Sequence, residues 1–166
     1  MPIKKKSAQP KSPSSTLQKK VQVWIYFQNP TTRVYSFLLL KTTPERGGFW
    51  QPVTGGVKKR ESLANAALRE AVEESGLEFH CVPEPIEYGF EYEKKGAKYL
   101  EYGFAMSLGP ISGQPPQVSL SKQEHTEYEW VTAKEACARL HFPSNVTMLK
   151  TFLSKLFRAP VVMSLS

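Results

Sequence analysis

Three glutamates, Glu70, Glu73 and Glu74, fall within five residues of one another. In a helix this i, i+3, i+4 spacing puts them on one face, with Glu73 and Glu74 at about −60° and +40° from Glu70. Like charges at that spacing oppose the helix by roughly 0.2–0.5 kcal/mol per pair. A divalent cation reverses the sign of that interaction. Mg²⁺ is hard, prefers oxygen, and keeps several waters while carboxylates and phosphates fill its other positions. Ala66 and Ala67 lie one turn upstream on the same side and leave room for an ion and a substrate. Three glutamates alone also describe a solvated acidic face, so the surrounding residues must decide. All 15 acidic residues are Glu and none is Asp, so any carboxylate chemistry here falls to Glu.

The helix that carries them has clear ends. Ser62 is placed to cap its N-terminus, and Gly76 stands where a left-handed residue closes a helix. Ala64, Leu68, Ala71, Val72 and Ser75 share an arc and are expected to face the core. Upstream, "VQVWIYF" and "VYSFLLL" read as strands separated by the turn cluster "QNPTTR". The second run is continuously apolar, as in a strand buried on both faces. "FWQPV" is short, and Pro52 limits its use as a central strand. Downstream, "IEYGFEYE" alternates, with Ile86, Tyr88, Phe90 and Tyr92 on one face and Glu87, Glu91 and Glu93 on the other. "KKGA" turns the chain into "KYLEYGFAMSL", which completes a hairpin. "EYEWV" is a last strand, and "AKEACARL" and "NVTMLKTFLSKLF" read as helices. Strands, helix, strands, helices: this order predicts an α/β fold with a mixed sheet covered by helices, not a parallel βαβ array.

The 166 residues suit one domain, and 40% hydrophobic content supports a core. The net charge of +7 is unevenly spread. Lys4, Lys5, Lys6, Lys11, Lys19 and Lys20 lie in residues 1–20, which contain no acid. Removing those six charges leaves residues 21–166 at +1. Residues 1–20 are therefore expected to form a solvated basic leader that could touch nucleic acid, with a domain over 21–160 and a tail over 161–166. Cys81 and Cys137 lack metal-ligand spacing and read as reduced thiols of a cytoplasmic protein. No apolar run reaches the ~20 residues needed to span a bilayer.

The spacing around the glutamates resembles the Nudix box: Gly55, Glu61, Arg69-Glu70, Ala71, Val72, Glu73-Glu74, Ser75, Gly76, Leu77. Every fixed position matches; Ala71 is a small choice for an apolar position, and Arg60 stands where Gly is common. The resemblance implies an α/β/α sandwich and hydrolysis of a nucleoside diphosphate linked to another group, with Mg²⁺ or Mn²⁺. It implies that Glu70, Glu73 and Glu74 bind metal and that Glu70 also orients or deprotonates the water. Arg69 and Glu61 would brace the glutamates, and the carbonyl of Thr54 would be a further ligand. In many members of the family a glutamate outside the box contributes to the metal site or to base catalysis. By its spacing from Trp130, Glu124 is favoured; Glu127 is the rival, with Glu91 and Glu101 more remote.

The box does not name the substrate. "FWQPVTGG" and "EHTEYEWVTAKEA" with "FPSNVTML" resemble segments of (d)NTP and dihydroneopterin triphosphate pyrophosphohydrolases. That favours a nucleoside or pterin triphosphate cleaved to the monophosphate and pyrophosphate. A ring slot would draw on Trp50, Phe49, Tyr92, Phe142 and Asn145; Asn145 is equally suited to cap the last helix. Alternatives are a triphosphorylated RNA end held by the basic leader, an ADP-sugar or dinucleotide, or a regulatory domain that only binds nucleotide. The last usually lacks box glutamates, which are intact here. The family includes monomers and homodimers.

Overall fold

The computed structural model describes residues 16–158. In chain order it contains β1 (Gln18–Gln28), β2 (Tyr35–Thr42), a 3-10 turn (Pro44–Arg46), β3 (Trp50–Gln51) and β4 (Val53–Gly56). Next come α1 (Leu63–Ser75), β5 (Glu84–Lys94), β6 (Ala97–Pro110), β7 (His125–Val131), α2 (Ala133–Arg139) and α3 (Pro143–Leu156). β1 is the hub of the seven-stranded sheet. It runs parallel to β6 and antiparallel to β2 and β4. β2 adds β3 and β7, and β5 pairs with β6 as the expected hairpin. Lys95 and Gly96 turn that hairpin with positive φ at both positions, as a two-residue turn requires. Pro52 has no N–H to give a ladder, and it marks the break where the chain leaves β2 for β1.

Side chains alternate along β1. Val21, Val23 and Ile25 pack on the α1 side with Leu38, Leu40, Val53, Ala66, Ala67 and Ala71. Trp24 packs on the other side with Phe37, Leu39, Met148, Leu149 and Phe152, beneath α2 and α3. Two apolar layers separated by one sheet make the α/β/α sandwich. No helix among the described residues is long and apolar enough to cross a membrane.

Two expectations change. The leader was expected to extend to residue 20, but β1 starts at Gln18, and Lys19 and Lys20 pair with Leu100 and Glu101 of β6. Lys4, Lys5, Lys6, Lys11 and the tail 161–166 lie outside the described residues. The second change concerns α1. Its ends are as expected: Ser62 accepts the Asn65 N–H, and Gly76 closes the helix at φ 66°. Its buried face is not. Leu68 is 36% exposed and Val72 44%, whereas Ala66, Ala67, Glu70, Ala71, Glu74 and Ser75 are buried. The buried arc is rotated by about a quarter-turn toward the glutamates. Alanines let the helix axis approach β1 and β4 closely, and that approach carries two carboxylates into the interface.

Ala71→Leu should overpack the interface and cost about 1–3 kcal/mol. Val72→Lys should stay within about 0.5 kcal/mol of the parent, as surface changes do. Urea unfolding of both variants checks the pair; the reverse order would restore Leu68 and Val72 to the core.

Candidate active site

The site begins at the end of β4. A Cβ at Gly55 would lie 1.9 Å from Glu70 Cδ, so the glycine leaves the space that the Glu70 carboxyl fills. Next to Glu70, Arg69 spreads its guanidinium over three carboxylates. Nε and Nη2 donate to Glu61 at 2.7 and 3.0 Å. Nη1 reaches Glu70 at 2.7 Å and Glu73 at 3.3 Å, and Nη2 also donates to the Gly56 carbonyl at 2.8 Å. Arg69 and the Lys58 N–H hold the Glu61 carboxyl down to about pKa 2. Glu70 moves the other way, because burial raises it more than Arg69 lowers it. Glu73 stays at the rim, its side chain 54% exposed.

One turn on, Glu74 is 3% exposed. Burial, then Glu124, then Glu70 push its carboxyl up to about pKa 9, against one donated bond from the Thr54 N–H. Glu124 pairs with Arg46 at 3.1 Å on its outer side. Among the described residues, Glu74 Oε2 has no hydrogen-bond partner, and neither ring nitrogen of buried His125 has one. His125 Nε2 lies 3.9 Å from Glu74 Oε2, and burial pushes its pKa down, so the imidazole is neutral near pH 7. One ligand atom each from Glu74, Glu124 and His125 lie within 4.8 Å of one another. A buried carboxylate oxygen left bare among like charges fits a divalent cation. The oxygen-rich donor set suits Mg²⁺ or Mn²⁺. Glu70, Glu74 and Glu124, with Thr54 beside them, are the residues brought together; Glu73 borders them.

A cleft of about 500 Å³ opens beside this cluster, and Thr54 belongs to both. Phe49, Phe90, Tyr92 and Phe142 line it, with Glu101 and Asn145 among its polar residues. Trp50, expected in the slot, is not there. It lies under Lys41 and Arg139, with their charges 5.8 and 5.6 Å from the ring. In a strand, neighbours face opposite ways, and Gln51 takes the cleft side instead. Asn145 does not cap α3, whose N-cap is Phe142; its Oδ1 accepts from Gln22. Glu127 pairs with Lys41 at 2.9 Å, and Glu91 is exposed on the hairpin. His125, Gln22 and Gln51 were not foreseen. Only His125 left a local signal, as the neighbour of Glu124.

The family profile of the NUDIX domain matches residues 18–152. The chain belongs to the Nudix hydrolases. A Caenorhabditis elegans Ap4A hydrolase superposes with a TM-score of 0.70 at 25% identity, over 84% of this chain and 98% of that one. The Escherichia coli dihydroneopterin triphosphate pyrophosphohydrolase shares the fold, with a TM-score of 0.67 at 23% identity over 82% and 95%. A Myxococcus xanthus octanoyltransferase is 38% identical over 117 residues, 69% of this chain. That stretch is 30% of the relative, so the chain spans less than a third of its length. A Nudix domain indicates a hydrolase acting on pyrophosphate bonds, a class that generally uses divalent metals.

Glu74 links this site to pH. Folded Glu74 keeps its proton up to about pH 9, whereas an unfolded glutamate releases it near 4.5. The native state binds the extra proton throughout that window, so metal-free stability falls as pH rises. In EDTA the melting temperature should drop from pH 7 to pH 8.5, a range above the titration of His125. Added Mg²⁺ should raise it more at pH 8.5 than at pH 7. Glu74→Gln should flatten both trends; a parent protein with neither trend contradicts the assignment.

Proposed function

We propose that this chain is a Mg²⁺- or Mn²⁺-dependent pyrophosphohydrolase that cleaves a nucleoside or pterin triphosphate to the monophosphate and pyrophosphate. The observation that supports it most is an aromatic-lined cleft of about 500 Å³, joined through Thr54 to the carboxylate cluster. Glu70, Glu73, Glu74 and Glu124 would hold the cation. When bound, the ion neutralises polyphosphate charge and stabilises charge growing in the transition state. Arg69 keeps Glu70 and Glu73 in register through its own bonds. Glu70 orients the water. Glu124 takes the water's proton as its oxygen joins phosphorus and the α–β phosphoanhydride breaks, releasing pyrophosphate. Free Cys81 and Cys137 fit a reducing compartment such as the cytoplasm.

A second reading has its own observation. Lys19, Lys20, Lys58, Lys59, Arg60, Lys94 and Lys95 line a groove of about 610 Å³. Lys20, Tyr92 and Lys94 belong to both groove and cleft. An anionic chain extending from the cleft, such as an RNA with a 5′-triphosphate, would fit that field.

One substrate panel tests both. Glu74→Gln and Glu124→Gln should each lower kcat on (d)NTPs or dihydroneopterin triphosphate by about 10²-fold or more. Phosphorus NMR should show pyrophosphate, not orthophosphate. Parent-like turnover in Glu74→Gln would remove the metal assignment. If RNA ends are substrates, Lys58→Ala with Lys59→Ala should flatten the log–log salt slope by about 1.4 and spare free nucleotides.

A further inference from the structure

Glu74 shares its corner with a second unsatisfied group. His125 is 2% exposed, and among the described residues neither Nδ1 nor Nε2 has a hydrogen-bond partner. A neutral imidazole carries one N–H donor and one lone-pair acceptor, so two polar atoms are buried there unpaired. Each such atom costs about 1–3 kcal/mol. An apolar side chain of similar size would fill the same space without that cost. Glu74 does not relieve it, because His125 Nε2 and Glu74 Oε2 lie 3.9 Å apart, too far for a hydrogen bond. That distance suits a different arrangement. Two atoms bound to one ion at about 2.1 Å each are separated by about 3.0 Å at right angles and about 4.2 Å when opposite. The bare nitrogen and the bare oxygen fall inside that range.

The chain is bent to bring them there. Adjacent strand residues face opposite ways, which would send Glu124 and His125 to different sides. An irregular start to β7 avoids this. Lys41 of β2 pairs with Glu127, but Thr42 pairs with His125, so Thr126 is an extra residue on β7. Just before it, the N–H groups of Glu124 and His125 both donate to the Ser121 carbonyl at 2.9 Å. A bulge of this kind re-aims a side chain. Here one ligand atom each from Glu74, Glu124 and His125 end within 4.8 Å of one another.

We propose that His125 Nε2 coordinates the divalent cation held by Glu74 and Glu124, and that this nitrogen makes the corner prefer Mn²⁺ to Mg²⁺. The inference rests on the metal assignment above and adds a ligand that the glutamate spacing does not supply. Mg²⁺ favours oxygen and gives up its waters reluctantly. First-row transition ions accept imidazole alongside carboxylate. Coordination occupies the acceptor nitrogen that no donor reaches among the described residues, and it leaves the imidazole proton on Nδ1.

Mn²⁺ serves as both ligand and probe. With Mn²⁺ below one equivalent, electron spin-echo spectra of the frozen protein should show modulation from a directly bound imidazole nitrogen. Labelling histidine with nitrogen-15 should change that pattern. His125→Leu should abolish it. His125→Gln, which offers a carbonyl oxygen in place of the nitrogen, should abolish it too and still bind Mg²⁺. Calorimetric titration of the same proteins gives the affinities. The parent should bind Mn²⁺ about 10-fold or more tighter than Mg²⁺. His125→Leu should cut that ratio by about 10-fold, chiefly by weakening Mn²⁺. Melting temperatures report folding, and the parent's response to the label stands if neither variant folds. Mn²⁺ bound without nitrogen modulation, modulation that survives in both variants, or a ratio that His125→Leu leaves unchanged overturns the proposal and spares the glutamate site. A parent that binds neither ion overturns it together with the metal-dependent reading of the function.

Discussion

Carboxylates crowded into one buried corner set the terms for the rest of the structure. Glu74 enters the interface between α1 and the sheet with Glu124 and Glu70 around it, and its Oε2 meets no donor among the described residues. Leaving such a group charged and bare is expensive, so the proton stays on it. Arg69 does not relieve it, because its guanidinium is committed to Glu61, Glu70, Glu73 and the Gly56 carbonyl. A divalent cation there would take the place of that proton. The alanines of α1 and the missing side chain of Gly55 allow the approach that creates this imbalance.

β1 couples that corner to the cleft. Gln22 stands opposite Thr54 of β4 on one side and Gly103 of β6 on the other. Thr54 bonds Glu74, and Gln22 bonds Glu101 and Asn145. A group bound at the cleft floor would be held one strand pairing away from the carboxylates, across regular sheet. A single strand also serves both core layers, with Val21 and Val23 on one face and Gln22 and Trp24 on the other. Shifting its register would move the cleft floor and the apolar layers together.

Much of this was legible in the sequence, for identifiable reasons. The spacing of Gly55, Glu61, Arg69, Glu70, Glu74 and Gly76 is local, and local spacing survives folding. The caps of α1 and the hairpin turn were readable on the same ground. The face of α1 was not, because amphipathic patterning assumes that the apolar arc is the buried one. Here the helix buries its chemistry, and Leu68 and Val72 face outward. Trp50 misled through its neighbours: strand alternation gave the cleft to Gln51. The Gln22, Glu101 and Asn145 network joins residues 79 and 123 positions apart, a separation at which no local pattern exists. Glu101 therefore read only as a remote candidate to complete the carboxylate site, and His125 left no signal beyond its place beside Glu124.

The central claim is that Glu74 waits protonated for a divalent cation. Proton release on ion binding tests this most directly. Mg²⁺ is titrated calorimetrically near pH 7.5 in two buffers of different ionisation enthalpy. With Glu74 at about pKa 9, binding should release close to one proton per ion, and Glu74→Gln should abolish the release. Mg²⁺ binding with no proton release, or with release unchanged by that substitution, would contradict the account.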